Sequence, residues 1–175
     1  MDLNSHSIGE NDTMRKHFIG AAGLAGATAL LVGCSSAPAQ TATGSDERPT
    51  TEQVRALFAD WNASLATGDP QKVADRYAPN AVLLPTVSNQ VRSTRAEIVD
   101  YFEHFLRNKP SGTILDSHVA VLDADDAIDA GTYRFALTKD GTPSTVDARY
   151  TFVYEKVEGK WLIVNHHSSA MPERA

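Results

Sequence analysis

Near its end the chain reads "KWLIVNHHSSAMPERA" (Lys160 to Ala175), where an apolar run passes directly into two histidines and two serines. A hydroxyl or imidazole buried without a partner costs roughly 1–3 kcal/mol, so a core strand that ends this way must need those groups for something. Successive side chains of a strand point to opposite faces. Leu162, Val164, His166 and Ser168 are therefore expected on one face, and Ile163, Asn165, His167 and Ser169 on the other. A histidine and a serine side by side can orient a water and a small polar substrate. Two more residues pose the same question: Thr86, which follows Pro85 at the end of "AVLLPT", and Tyr101, whose hydroxyl falls on the apolar face of a helical segment and needs a partner. Singly, each is explained as well by a core aromatic, a turn hydroxyl or a satisfied strand-end polar group. Only the combination points to a site.

Other chemistries leave no trace in the motifs. There is no G-x-S-x-G elbow, no phosphate-cradling glycine loop and no pair of histidines at helical spacing. Asp116, Asp123, Asp125 and Asp126 fall at strand ends and turns, as solvated surface does. His166 and His167, on opposite faces, cannot easily share one metal ion, and a zinc site needs three or four convergent ligands. His104 and His118 are not placed beside them by any spacing. A site without a metal is the expectation, with zinc or manganese on His166 or His167 as the alternative.

The elements that must position these residues are legible from periodicity. Val54, Leu57, Phe58, Trp61 and Leu65 recur at helical spacing, with Thr50 and Gln53 in capping-box positions and Gly68 as the stop. A short second helix is expected over Pro70–Ala78 behind an Asp69 cap, and a third over Thr94–Asn108, capped by Thr94 and Glu97. Ala81–Thr86 reads as a strand. From Gly112 onward four strands, "TILDSHVAVLD", "AIDAGTYRFALT", "DARYTFVYEKV" and "KWLIVNHHSS", are separated by "ADD", "KDGTPST" and "EGK", the pattern of an antiparallel meander. Helices first and a meander afterwards predict an α+β fold, a curved antiparallel sheet wrapped around the long first helix. The mouth of that cone is the natural pocket.

The first 33 residues stand apart. Arg15 and Lys16 precede the apolar "FIGAAGLAGATALLVG" (Phe18 to Gly33), 16 residues and short for a membrane span, which has the layout of a secretion signal. Met14 is an alternative start. The segment closes with "LVGC", which resembles the bacterial lipobox and implies a lipidated Cys34 as the mature N-terminus, anchored in the periplasm, with Ser35 pointing to the outer membrane. Residues 34–48 are small and polar, a flexible tether, and 49–175 form the domain. Cys34 is the only cysteine, so no disulfide forms within the chain. The full chain of 175 residues carries a net charge of −6; without residues 1–33, which hold two basic and three acidic residues, it is −5. No cluster of Lys and Arg is present to bind nucleic acid.

The stretches "LATGDPQKVADRYAPNAVLLPTVSNQVRST", "DYFEHFL" and "ARYTFVYEKVEGKWLIVNHHSSAMPE" together resemble the iota-class carbonic anhydrases, over about Thr51 to Glu173. More distantly the chain looks like the association domain of calcium/calmodulin-dependent kinase and the wider cystatin-like, NTF2-like superfamily. The resemblance implies reversible hydration of CO2 to bicarbonate, with Thr86, Tyr101, His166 and Ser168 as catalytic residues. Thr86, Tyr101, Ser168 and Ser169 would contact substrate, and His166 would accept a proton near its ordinary pKa of about 6.5. It also implies a homodimer through the outer face of the sheet. Two other readings fit the same residues: a lipoprotein that binds a small ligand without turnover, and an oligomerisation module.

Overall fold

The computed structural model describes residues 47–173; the secretion signal, Met14, Cys34 and the tether up to residue 46 lie outside them. Helix α1 (Thr51–Ala66) starts where its capping box predicts. The Thr50 hydroxyl accepts the Gln53 N–H at 3.2 Å, and the Gln53 side chain accepts the Thr50 N–H at 2.7 Å. Two otherwise orphaned donors are thereby satisfied, a contribution of about 1 kcal/mol per cap. Val54, Phe58, Trp61 and Leu65 form its buried face, and the chain leaves the helix through Gly68 at φ +68°.

Helix α2 (Pro70–Ala74) is four residues shorter than its pattern suggests. Pairing takes the chain away from it: the Arg76 carbonyl accepts the Ile163 N–H at 2.8 Å, and strand β1 (Tyr77–Leu84) begins at the next residue. Long-range pairing here overrides a weak local propensity. The chain then leaves β1 at Pro85 and returns at Arg92, which exchanges two backbone hydrogen bonds with Leu83 (2.8 and 2.9 Å). Thr86 and Val87 ride on that excursion. Helix α3 (Arg95–Phe105) has its Thr94–Glu97 capping box, and a 3-10 turn (Leu106–Asn108) ends at Lys109 in the left-handed region.

Strands β2 (Ser111–Val121), β3 (Asp126–Lys139), β4 (Thr142–Val157) and β5 (Lys160–Ala170) form the meander, and the sheet order is β1-β5-β4-β3-β2. One pair departs from the antiparallel expectation: β1 runs parallel to β5, with Leu83 opposite His166. The turns are tighter than the sequence suggests. Asp140-Gly141 and Glu158-Gly159, all at positive φ, close the β3–β4 and β4–β5 hairpins in two residues each. That geometry matches the right-handed twist of the strands, and Thr142–Thr145 of the expected loop join the ladder instead.

Two irregularities set which side chains face inward. In β2 the register skips Leu115, and the displaced Asp116 carbonyl lies over Gly131, where a Cβ would approach to 2.0 Å. In β5 the register steps from Tyr154 opposite Ile163 to Val153 opposite Asn165, so Val164 is extra. Such a bulge reverses the alternation. Ile163, not Leu162, therefore shares the buried face with His166 and Ser168, while His167 is exposed. The parity expected for His166 and Ser168 holds, but that for Leu162 and Val164 does not. The inner face closes on an aromatic cluster in which Trp61 packs edge-on against Phe152 (5.4 Å), Phe135 (6.2 Å) and Phe102 (6.4 Å).

Candidate functional site

Between α3, the Pro85–Val91 excursion and the inner face of the sheet lies a cavity of about 60 Å³. A single water needs about 10–15 Å³ on this measure, so there is room for a few water-sized groups and not for an aromatic ligand. Its walls are largely apolar, with Trp61, Leu83, Phe102, Phe135 and Leu137 among them, and no charged side chain lines it. The polar groups in it are Thr86, Tyr101, Tyr133, His166 and Ser168. Four of these were singled out in the sequence, and all five come from four parts of the fold: the Pro85–Val91 excursion, α3, β3 and β5.

His166 is 3% exposed and stacks on Phe152 with ring centroids 4.1 Å apart. Its Nδ1 lies 2.9 Å from the Tyr77 hydroxyl, and its Nε2 lies 3.5 Å from the Tyr133 hydroxyl. The Trp61 indole N–H can only donate, and it does so to Tyr77 Oη at 3.1 Å. Tyr77 then has its own hydrogen for His166 Nδ1, and the Nε2–H tautomer is the one in which that buried hydroxyl hydrogen finds an acceptor. Burial, reinforced by His167, lowers the His166 pKa from 6.5 to about 3. The expectation of a proton acceptor near pKa 6.5 is therefore not met: at neutral pH this ring is an uncharged donor toward Tyr133.

From Tyr133 the bonding continues outward. Its hydroxyl donates to Ser168 Oγ at 2.5 Å, and Ser168 is paired in turn with the hydroxyl of Thr86. Whichever of Ser168 and Thr86 donates to the other, the pair keeps one hydroxyl hydrogen for a ligand. Burial raises the Tyr133 phenol well above its ordinary value, so it stays a donor. Tyr101 is half-buried on α3, with its ring stacked on Phe105 at 5.7 Å; burial pushes its pKa up to about 12 against the opposing pull of Arg92.

Ser169 is not brought to the cavity. It follows Ser168 on a regular stretch of β5, opposite Arg149, and so points to the outer face; His167 is outside for the same reason. Among the described residues no three His, Cys, Asp or Glu side chains converge as metal ligands. His166 is buried and His167 exposed on opposite faces of β5, so the two rings do not converge on one ion. Arg134 lies on the outer face, held by Asp147 at 2.6 and 2.8 Å.

Sequence reasoning missed Trp61, Tyr77 and Tyr133. Trp61 reads as an ordinary core position of α1, and Tyr77 was assigned to the end of α2. Tyr133 carried a usable signal, since alternation through "GTYRFAL" puts it on the face of Phe135.

Comparison with known proteins places this geometry. The calcium/calmodulin dependent protein kinase II association domain family matches residues 50–172. A crystal structure from Xanthomonas campestris, assigned provisionally as such an association domain, is 61% identical with a TM-score of 0.71, covering 72% of this chain and 91% of that one. An NTF2-like protein with a cystatin-like fold from Novosphingobium aromaticivorans (15% identity, TM-score 0.59, 71% and 83% covered) shares the fold. So does the CamKII hub homology domain of Chlamydamonas reinhardtii (20% identity, TM-score 0.57, 69% and 96% covered). No curated protein matches the chain. With most of its described residues inside the matched range, the chain belongs to the calcium/calmodulin dependent protein kinase II association domain family.

Proposed function

We propose that the cavity binds CO2 and catalyses its reversible hydration to bicarbonate and a proton, without a metal. The observation that carries this reading is a small, uncharged, largely apolar cavity ending in a ligand-ready pair of hydroxyls, Thr86 and Ser168. CO2 is small, neutral and apolar overall, so such walls accept it without a desolvation penalty. The hydroxyl pair holds the attacking water. As the water oxygen bonds to carbon, one C=O π bond opens and negative charge grows on the substrate oxygens. Tyr101, a cavity-lining phenol that burial keeps protonated, donates to that charge. The water's proton passes outward through the hydroxyls, each accepting one proton as it releases its own, toward solvent beyond Thr86. His166 acts by position: its Nε2–H orients Tyr133, and Tyr133 orients Ser168.

The resemblance of the "HHSS" strand end to iota-class carbonic anhydrases supports the same reading. The experiment is CO2 hydration by the purified chain and by Ser168→Ala and Thr86→Ala, with folding checked by circular dichroism. Folded variants that hydrate CO2 as fast as the parent would sink the proposal.

A second reading, oligomerisation, coexists with the first. On the outer face Ile128 pairs with Val153 and Ala130 with Thr151, all half-buried, giving an apolar strip suited to a second copy. We infer a homodimer through this strip; sedimentation of Val153→Glu as a monomer would support it, and an unchanged mass would refute it. Lipidation at Cys34 would hold the domain in the periplasm, a proposal tested by labelling cells with a radioactive fatty acid and comparing Cys34→Ala.

A further inference from the structure

Beside the cavity, and separated from it only by shared walls, lies a second groove of about 240 Å³. Val87, Tyr101 and Phe105 belong to both. The two spaces differ in their chemistry. The inner one has no charged lining; the outer one is lined by Ser88, Arg92, His104 and Asn108.

These groups are mostly donors with capacity to spare. Arg92 is held by its Nη1, which donates to Asp100 at 2.7 Å with the Arg92 side chain only 12% exposed. No other guanidinium nitrogen of Arg92 has a partner among the described residues, and its Nε is fully buried. Asn108 uses one amide hydrogen on the Phe105 carbonyl (3.2 Å), which leaves the second. The Ser88 oxygen accepts the Gln90 N–H at 3.2 Å, so its own hydrogen is free. His104 donates its Nδ1–H to the Asp100 carbonyl at 2.8 Å, so Nε2 of the neutral ring faces the groove as an acceptor and adds nothing to the donor set. Glu103 and Arg107 flank His104 on the same helical segment but do not line the groove, and neither does the Asp100 carboxylate, which offsets part of the Arg92 charge. Spare N–H and O–H groups around one guanidinium recognise an oxyanion.

We propose that this groove is a binding subsite for small monovalent oxyanions of the bicarbonate class, the station through which the charged partner of the reaction enters and leaves. The assignment of bicarbonate rests on the function proposed above; oxyanion binding does not. An apolar inner cavity holds neutral CO2 well and an anion poorly, whereas the outer groove offers the reverse. Tyr101, a wall of both, marks the passage between them. Because Asp100 shares the guanidinium, affinity is weak, which suits a species that must depart on every turnover.

The test uses nitrate, a planar oxyanion that does not react, titrated into the 15N-labelled full chain with chloride at equal ionic strength as the control. The buried Arg92 Nε–H exchanges slowly enough with water to give its own resonance. Saturable shifts of that resonance and of the Asn108 side-chain amide with nitrate, absent with chloride, are the expected result. In Ser88→Ala/Asn108→Leu, both half-buried and outside the hydroxyl chain, the Arg92 response should weaken by about tenfold. A response linear in salt, equal with chloride, unaltered in the double variant, or confined to residues around Ser168 would overturn the subsite. A chain that hydrates no CO2 yet saturates at Arg92 would refute the bicarbonate assignment while the oxyanion subsite stands.

Discussion

Two buried polar clusters sit on the inner face of the same sheet, one on each side of Phe152. His166 pairs with Phe152 across β5 and β4, and Asp129 pairs with it across β4 and β3. Around Asp129, Oδ1 accepts hydrogen bonds from Ser117 (2.7 Å) and Tyr150 (3.1 Å), and Arg55 of α1 reaches Ser117 at 3.4 Å. Its Oδ2 and the Tyr154 hydroxyl are buried with no partner. Around His166 every linked group is neutral, and the chain runs from Trp61 through Tyr77, Tyr133 and Ser168 to a cavity. Burial of polar groups is thus not the mark of a site in this fold. What separates the two is where they lead: one network ends in a cavity with a hydroxyl hydrogen to spare, and the other runs through Ser117 to Arg55 of α1.

That difference can be broken at four points. Ser168→Ala removes the hydroxyl between Tyr133 and Thr86, and CO2 hydration should fall by about 100-fold, or about 2.7 kcal/mol of transition-state stabilisation. Stopped-flow measurement checks this. Asp129→Ala leaves the Ser117 hydroxyl without an acceptor and Tyr150 with only the long contact to the Asp116 carbonyl (3.4 Å), so stability to urea should drop by about 2 kcal/mol while the folded fraction keeps its activity. Loss of activity per folded molecule would make Asp129 part of the site.

The third point is pH. His166 binds its proton at about pH 3 when folded, against an ordinary value of 6.5. Between those limits the unfolded chain binds the proton and the folded chain does not. Stability is therefore complete above about pH 6.5 and falls below it by up to about 1.4 kcal/mol per pH unit. His166→Phe, which keeps a ring on Phe152, should flatten that slope in denaturation curves taken at pH 4, 5 and 6. The smallest effect belongs to Tyr77→Phe. It removes the acceptor of the Trp61 N–H, costs about 1 kcal/mol and frees the imidazole tautomer, which 15N shifts of His166 report as a mixture in place of Nε2–H alone.

Particular residues show how far the sequence could be read. Both capping boxes, the Gly68 stop and the meander follow from local rules, because caps and turns are local chemistry. His166, Ser168, Thr86 and Tyr101 were found as polar groups out of place in apolar surroundings, and they do line one cavity. Ser169 was not a cavity residue, and strand alternation already said so. The Val164 bulge was illegible, since it is fixed by β4 rather than by anything in "LIVNHH". The lowered His166 pKa and the relay through Tyr77 were equally hidden. The relay arises from partners 33 to 89 positions away and the lowered pKa chiefly from burial under distant elements, neither of which a spacing rule reaches.

The central claim is that neutral hydroxyls, without a metal, hydrate CO2. Its most direct test is stopped-flow CO2 hydration by the full chain before and after exhaustive chelation, with metal content determined on the same samples. Activity retained in metal-free protein is the predicted result; activity that vanishes on chelation and returns with zinc or manganese would contradict it.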